Sequence, residues 1–186
     1  MRIITGTLKG RRINIPKNLD VRPTTDRTKE GLFSTIESWK YIRDSRVLDL
    51  FAGSGSLGIE AISRGAAEVL FVDQEPRNIS HIEKLAQEFE VGDRIRTVTM
   101  DVKQFLQGPA VPYDFIFADP PYTYGELNEI VDSIFQNSWL KESGWLILEH
   151  NTHYDFREHK FSLMEKEYGK TLISILSPQA SKNDQS

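Results

Sequence analysis

Residues 48–58 read Leu48-Asp49-Leu50-Phe51-Ala52-Gly53-Ser54-Gly55-Ser56-Leu57-Gly58. An apolar run of strand length, 47–50, leads into the stretch, and a helical pattern over 57–64 leads out of it. Gly53, Gly55 and Gly58 fit the spacing G-x-G-x-x-G, at which missing side chains let a ligand approach the backbone and a helix approach the sheet. Asp73 lies twenty residues past Gly53, at the end of the next apolar run, where a carboxylate can take ribose hydroxyls. Strand, glycine loop, helix and acid-ended strand form the first unit of a doubly wound α/β sheet. They predict a nucleotide-like cofactor at its switch point.

The alternation continues outward. Strands are expected over 47–50, 69–72, 96–99, 115–118 and 145–149, with helices over 57–64, 77–89, 102–107 and 126–136 between them. Apolar strands alternating with helices imply a mostly parallel sheet covered by helices on both faces. Two last strands, 161–167 and 171–176, are joined only by Tyr168-Gly169-Lys170. That link is too short for a parallel crossover, so a C-terminal antiparallel hairpin completes a seven-stranded sheet. Ahead of the first unit, short strands over 2–5 and 11–15 around Gly6 and Gly10 predict a small N-terminal β-hairpin. Pro16 and Pro23 bracket a loop, and Thr24-Thr25-Asp26 offer N-cap residues for a helix through about Trp39. Leu32, Phe33, Ile36 and Trp39 give that helix one apolar face. The expected organisation is a basic hairpin-and-helix extension over 1–45, a catalytic domain over 46–177, and a polar, disordered tail over 178–186.

The chain has 186 residues and no cysteine, which removes disulfides, thiolate metal ligands and thiol catalysis. His81, His150, His153 and His159 form no ligand-spaced pair, so no metal is expected. No apolar run approaches the ~20 residues of a membrane span, and the N-terminus lacks the apolar stretch of a signal peptide. A cytoplasmic protein without a membrane partner is the expectation. The net charge of −4 hides an asymmetry: residues 1–46 carry an excess of +6 and the remainder −10. A basic segment on an acidic body fits either a solvated hairpin or an electrostatic footprint for nucleic acid.

Asp119-Pro120-Pro121-Tyr122 follows the apolar run Phe115-Ile116-Phe117-Ala118. Neither proline can donate to a ladder, so the strand ends in a rigid turn. One carboxylate, backbone carbonyls and an aromatic ring then stand together at the C-terminal edge of a sheet. Alone, the tetrapeptide fits a proline-rich loop with a packed tyrosine equally well. Beside a cofactor loop, its acceptors and ring suit a planar substrate carrying an amino group, such as a nucleobase.

A dehydrogenase would place a pyrophosphate at the helix N-terminus, and Asp49, four residues before Gly53, would oppose that anion. A cofactor with a cationic centre and an ammonium group is favoured by it, and S-adenosylmethionine has both. Asp49 can also accept hydrogen bonds from the loop's own N–H groups, and the two roles are compatible. Asp101, after the third strand, reads either as an acceptor for an adenine amino group or as the N-cap of the next helix.

Three segments together resemble the class I S-adenosylmethionine-dependent methyltransferases and, within them, the RsmD family, which methylates guanine N2 of 16S ribosomal RNA. They are Arg2-Ile3-Ile4-Thr5-Gly6 with Lys9-Gly10-Arg11-Arg12 and the run from Val21-Arg22-Pro23-Thr24-Thr25-Asp26-Arg27 to Phe33; Leu48 through Gly65; and Asp119–Tyr122. Tyr168-Gly169-Lys170-Thr171 adds weaker support. The resemblance implies a Rossmann-like fold, an enzyme, and 16S ribosomal RNA as partner, within a small-subunit particle or assembly intermediate. It implies a cofactor site of Thr25, Asp49, Phe51, Ala52, Gly53, Gly55, Asp73, Gln74, Asp101 and Val102, catalysis by Asp119, Pro120, Pro121 and Tyr122, and RNA contacts from Lys9, Arg11, Arg12 and Arg22. The chain departs from the family pattern in the stretch Phe71–Pro76, which leaves Asp73 and Glu75 both open as ribose ligand, and at Ser56, where alanine is more typical. Three other readings are weighed against it: a DNA adenine-N6 or cytosine-N4 methyltransferase, opposed by the lack of a recognition domain; a nicotinamide-binding oxidoreductase, opposed by Asp49; and a non-enzymatic RNA-binding assembly factor, opposed by the intact Asp119–Tyr122.

Overall fold

The computed structural model describes residues 1–16, 19, 25–169 and 171–180. Helix α1 (Asp26–Glu37) precedes β1 (Arg46–Leu50), α2 (Ser56–Ser63), β2 (Glu68–Asp73), α3 (Pro76–Glu88), β3 (Ile95–Thr99), α4 (Val102–Leu106), β4 (Tyr113–Ala118), α5 (Leu127–Gln136), β5 (Leu140–His150), β6 (Ser162–Tyr168) and β7 (Thr171–Leu176). The seven strands form one sheet of order β3-β2-β1-β4-β5-β7-β6. Strands β1 to β5 pair in parallel, and β7 pairs antiparallel with both β5 and β6. This is the expected Rossmann-like sheet with its terminal hairpin.

Strand alternation sends side chains to two separate cores. Val47, Phe71, Phe115, Phe117 and Ile147 bury against α1, α2 and α3. Leu48, Leu50, Ile116, Leu146 and Leu148 bury against α4 and α5. Strand β5 begins earlier than its apolar run, at Leu140, and its register with β4 shifts between Tyr113 and Phe115. Among the described residues, no helix is long and apolar enough to cross a membrane.

The N-terminal hairpin differs from expectation. The chain does reverse, with Gly6 and Gly10 at φ of 88° and 84°, and Ile3 N, Gly10 N and Ile13 N donate to Arg11 O, Ile3 O and Met1 O, but the arms form an isolated antiparallel bridge, Arg2 with Arg12, instead of two continuous strands. The reason is competition for donors. Ile4 and Thr5 N–H point at the Glu60 carboxylate (2.9 and 3.1 Å), and Leu8 N–H donates to Ser63 Oγ (3.0 Å). The hairpin is therefore bonded to α2 as well as to itself. Ile3, Leu8 and Ile13 join the same core as α1, α2 and β1, so packing is continuous across residues 45 and 46. Of the expected tail, residues 181–186 lie outside the described residues, as does Arg22.

Candidate active site

The sheet order reverses between β1 and β4, which are direct neighbours with Leu50 opposite Ala118. Chains leaving that pair of strands diverge, and the crevice between them is where open α/β sheets bind ligands. The glycine loop leaves β1 and Asp119–Tyr122 leaves β4, so strand order alone brings the two motifs side by side. A cleft of about 590 Å³ opens there, within the range of small-molecule sites. Its walls include Asp49, Phe51, Ala52, Gly53, Asp73, Gln74, Asp101, Val102 and all of Asp119–Tyr122.

The loop is held by carboxylates. Asp73 Oδ2 accepts from Gly53 N (2.8 Å), and Oδ1 from Glu75 N (2.8 Å). Asp73 is buried, whereas Glu75 is exposed and caps α3. Asp49, 3% exposed, accepts from Gly58 N in the first turn of α2 (2.9 Å). Burial pushes its carboxyl well above the usual range; the Gly58 N–H opposes this, and Asp119 and Asp73 add to the rise. Acids this close and this dry favour a cationic ligand. Phe51 adopts a left-handed φ of 56°, a strained setting for a bulky residue, and its ring meets Tyr124 edge-on at 5.0 Å. The glycines differ in task. Gly53 also has a positive φ, 54°, while a Cβ on Gly58 would lie 2.3 Å from the Phe71 ring and 2.9 Å from Asp49 Oδ2.

Not every expected residue is on the cleft. Thr25 spends its hydroxyl capping α1, accepting from Thr28 N (3.1 Å), and it is not among the described wall residues. Nor is Gly55, which permits close packing on Ile82: a Cβ there would meet it at 2.8 Å. Asp101 caps α4 through Gln104 N (3.0 Å) and also lies on the cleft wall. Leu19, Asn78 and Tyr124 also line the cleft, and sequence reasoning missed them. Only Tyr124 carried a signal, being two residues past Tyr122 in the same turn.

The basic residues are more dispersed. The hairpin turn binds Ser63 at the last turn of α2, while the cleft opens at Ser56, the first residue. Those ends are about 10 Å apart along the helix axis. Arg11 donates to Glu88 O (3.1 Å) and lies over the Phe89 ring, so part of its role is packing. Lys9 and Arg12 are exposed.

A family model described as "Conserved hypothetical protein 95", the RsmD family, matches residues 1–177. The chain belongs to this family. "Ribosomal RNA small subunit methyltransferase D" of Escherichia coli K12 is 34% identical over 149 residues, covering 80% of this chain and 74% of that protein. YlbH of Bacillus subtilis strain 168 is 34% identical over 181 residues, covering 94% and 97%. The solved structure of yhhF from Escherichia coli superposes with a TM-score of 0.84 at 30% identity, covering 96% and 99%. The chain is thus an RsmD-family methyltransferase with a Rossmann-like fold.

Proposed function

We propose that this methyltransferase transfers a methyl group from S-adenosylmethionine to the exocyclic N2 amine of a guanine in small-subunit (16S) ribosomal RNA. The observation that carries the reading is the juxtaposition of Asp119–Tyr122 with an acid-lined glycine loop at one switch point. The names of the relatives support the RNA class. The fit to the cofactor rests on donor chemistry: Asp49, buried beside Asp73 and Asp119, is relieved by a positive ligand.

Asp49 and the Ala52–Gly53 backbone would hold the methionine part, Asp73 the ribose, and Asp101 with Val102 the adenine edge. The cofactor supplies an electrophilic methyl group. A guanine amine is a poor nucleophile because its lone pair is delocalised into the ring. Acceptors aimed at its N–H bonds, the Asp119 carboxylate and the Pro120 carbonyl, favour a pyramidal nitrogen and stabilise the charge that develops. The Pro120-Pro121 pair fixes those acceptors, because proline locks φ. Asp119 need not take a proton first, since the alkylated nitrogen is acidic and can lose it afterwards. Tyr122 would stack on the base, a contact of roughly 1–3 kcal/mol, and the base must stand clear of its own stack to enter. Lys9, Arg12 and Arg22 would position RNA phosphates without reading sequence, with Arg11 contributing beside its packing role. Because the hairpin turn is set back from the cleft, the RNA would run along the α2 side. The partner in this reading is an intact or partly assembled small-subunit particle.

The test is mass mapping of methylated nucleotides in ribosomal RNA from cells with the protein, without it, and with Asp119→Ala. One N2-methylguanine should vanish in the last two. Purified Asp119→Ala should lose on the order of 10²–10³ in rate and bind S-adenosylhomocysteine as the wild type does. A fully active Asp119→Ala enzyme, or loss of a methyl-adenine or methyl-cytosine instead, would sink the proposal.

A further inference from the structure

The tip of the C-terminal hairpin touches both α1 and the Asp119–Tyr122 turn. Tyr168, the last residue of β6, pairs with Thr171, the first of β7. Tyr168 lies flush on α1: a Cβ on Gly31 would sit 2.5 Å from its ring, and its hydroxyl is 3.3 Å from Thr35 Oγ1. Lys166, two residues earlier, donates to the same Thr35 hydroxyl (3.2 Å). The tip is thereby fastened to α1. On its other strand, Thr171 is buried, and its Oγ1 is 3.2 Å from the Tyr122 hydroxyl. Tyr122 itself is 42% exposed on the cleft, and its carbonyl takes a long bond from Asn151 Nδ2 (3.4 Å).

The Tyr122 hydroxyl sits at the far end of its ring, so a hydrogen bond there has leverage over where the ring plane lies. Thr171 is well suited to that task. It is buried, β-branched and therefore stiff, and paired across the hairpin with the anchored Tyr168. A threonine on an exposed loop would restrain nothing.

We propose that Thr171 is a positioning residue for base recognition: its hydroxyl holds the Tyr122 ring in the orientation that receives the flipped base, and the β6–β7 hairpin links that ring to α1. The inference rests on the reading of Tyr122 as the stacking residue of the proposed function.

The experiment uses the full chain, small ribosomal subunits from cells lacking the protein, and S-adenosylhomocysteine for calorimetry. Thr171→Val keeps the shape and removes the hydroxyl; Tyr122→Phe keeps the ring and removes its partner. Each should lower kcat/KM for the particle about fivefold, the worth of one hydrogen bond, mostly through KM. The double variant should fall by less than the product of the two single losses, since both changes delete the same bond. Thr171→Ser should recover most of the loss, and affinity for S-adenosylhomocysteine should match wild type throughout. Thr171→Val at wild-type kcat/KM, or independent losses that multiply in the double variant, overturns the proposal. Tyr122→Ala separates the two levels. If it is impaired while Thr171→Val is not, this inference alone fails; if it is fully active, the stacking reading fails and takes this inference with it.

Discussion

Glu60, in the middle of α2, should be a residue on which the fold depends far beyond its size. It is fully buried and faces an equally buried Lys29 from α1, with Nζ 3.4 Å from Oε2. Oε2 also accepts from Ile4 N (2.9 Å), and Oε1 accepts from Thr5 N (3.1 Å) and Arg64 Nε (3.0 Å). Each oxygen thus meets two donors. Glu60→Gln keeps the shape, but either orientation of the amide turns an NH2 group toward one donor pair. It also leaves Lys29 without its counter-charge, although burial already pushes that ammonium below its ordinary range and Glu60 pulls it back. Breaking a buried ion pair from one side costs about 3–5 kcal/mol. For a chain of this length that corresponds to a fall in Tm of roughly 6 to 20 °C. Urea unfolding with an unchanged m-value is the assay. Lys29→Met should cost less, because it removes the desolvated ammonium and leaves Glu60 three donors. The double variant should then cost less than the two singles added. A Glu60→Gln loss under about 1 kcal/mol, or strict additivity with Lys29→Met, would show that the pair is not the tie between α1 and α2 that its geometry implies.

Two further outcomes follow from the cofactor loop. Asp49 has its folded pKa raised, so below the unfolded value it is protonated in both states; as pH rises past that value the unfolded chain ionises first and the ligand-free protein loses stability until the folded pKa is passed. Asp49→Asn, which can still accept from Gly58, should flatten that fall in a melting series from about pH 4 upward, raise ligand-free stability at neutral pH, and weaken S-adenosylhomocysteine binding; a variant less stable than wild type at neutral pH would refute the argument. Gly58→Ala should cost about 1–3 kcal/mol through its clash with Phe71 and loosen the loop, whereas Gly92→Ala, which meets nothing within 4 Å, should melt near wild type; equal urea midpoints for the two would contradict this.

The sequence by itself determined whatever depends on a short window of chain. The apolar runs and the G-x-G-x-x-G spacing defined the first βαβ unit, because side-chain periodicity and tight turns are local properties. The three-residue link Tyr168-Gly169-Lys170 settled the direction of the last strand pair by length alone. Pro120-Pro121 marked the end of β4 because a missing N–H cannot be repaired elsewhere. Asp101 and Thr25 showed the limit of such reasoning: an acid or threonine before a helix is locally a cap, and only the cleft's shape tells whether it also faces a ligand. The same limit applied to the hairpin, whose arms had strand-like composition but gave the N–H groups of Ile4, Thr5 and Leu8 to Glu60 and Ser63, more than fifty residues away. Tertiary structure alone decided that buried tie, the position of the hairpin turn set back from the cleft, and the meeting of Thr171 with Tyr122. Each is a pairing between distant segments, chosen by which donors and acceptors the folded sheet leaves within reach, and no periodicity in the chain encodes it.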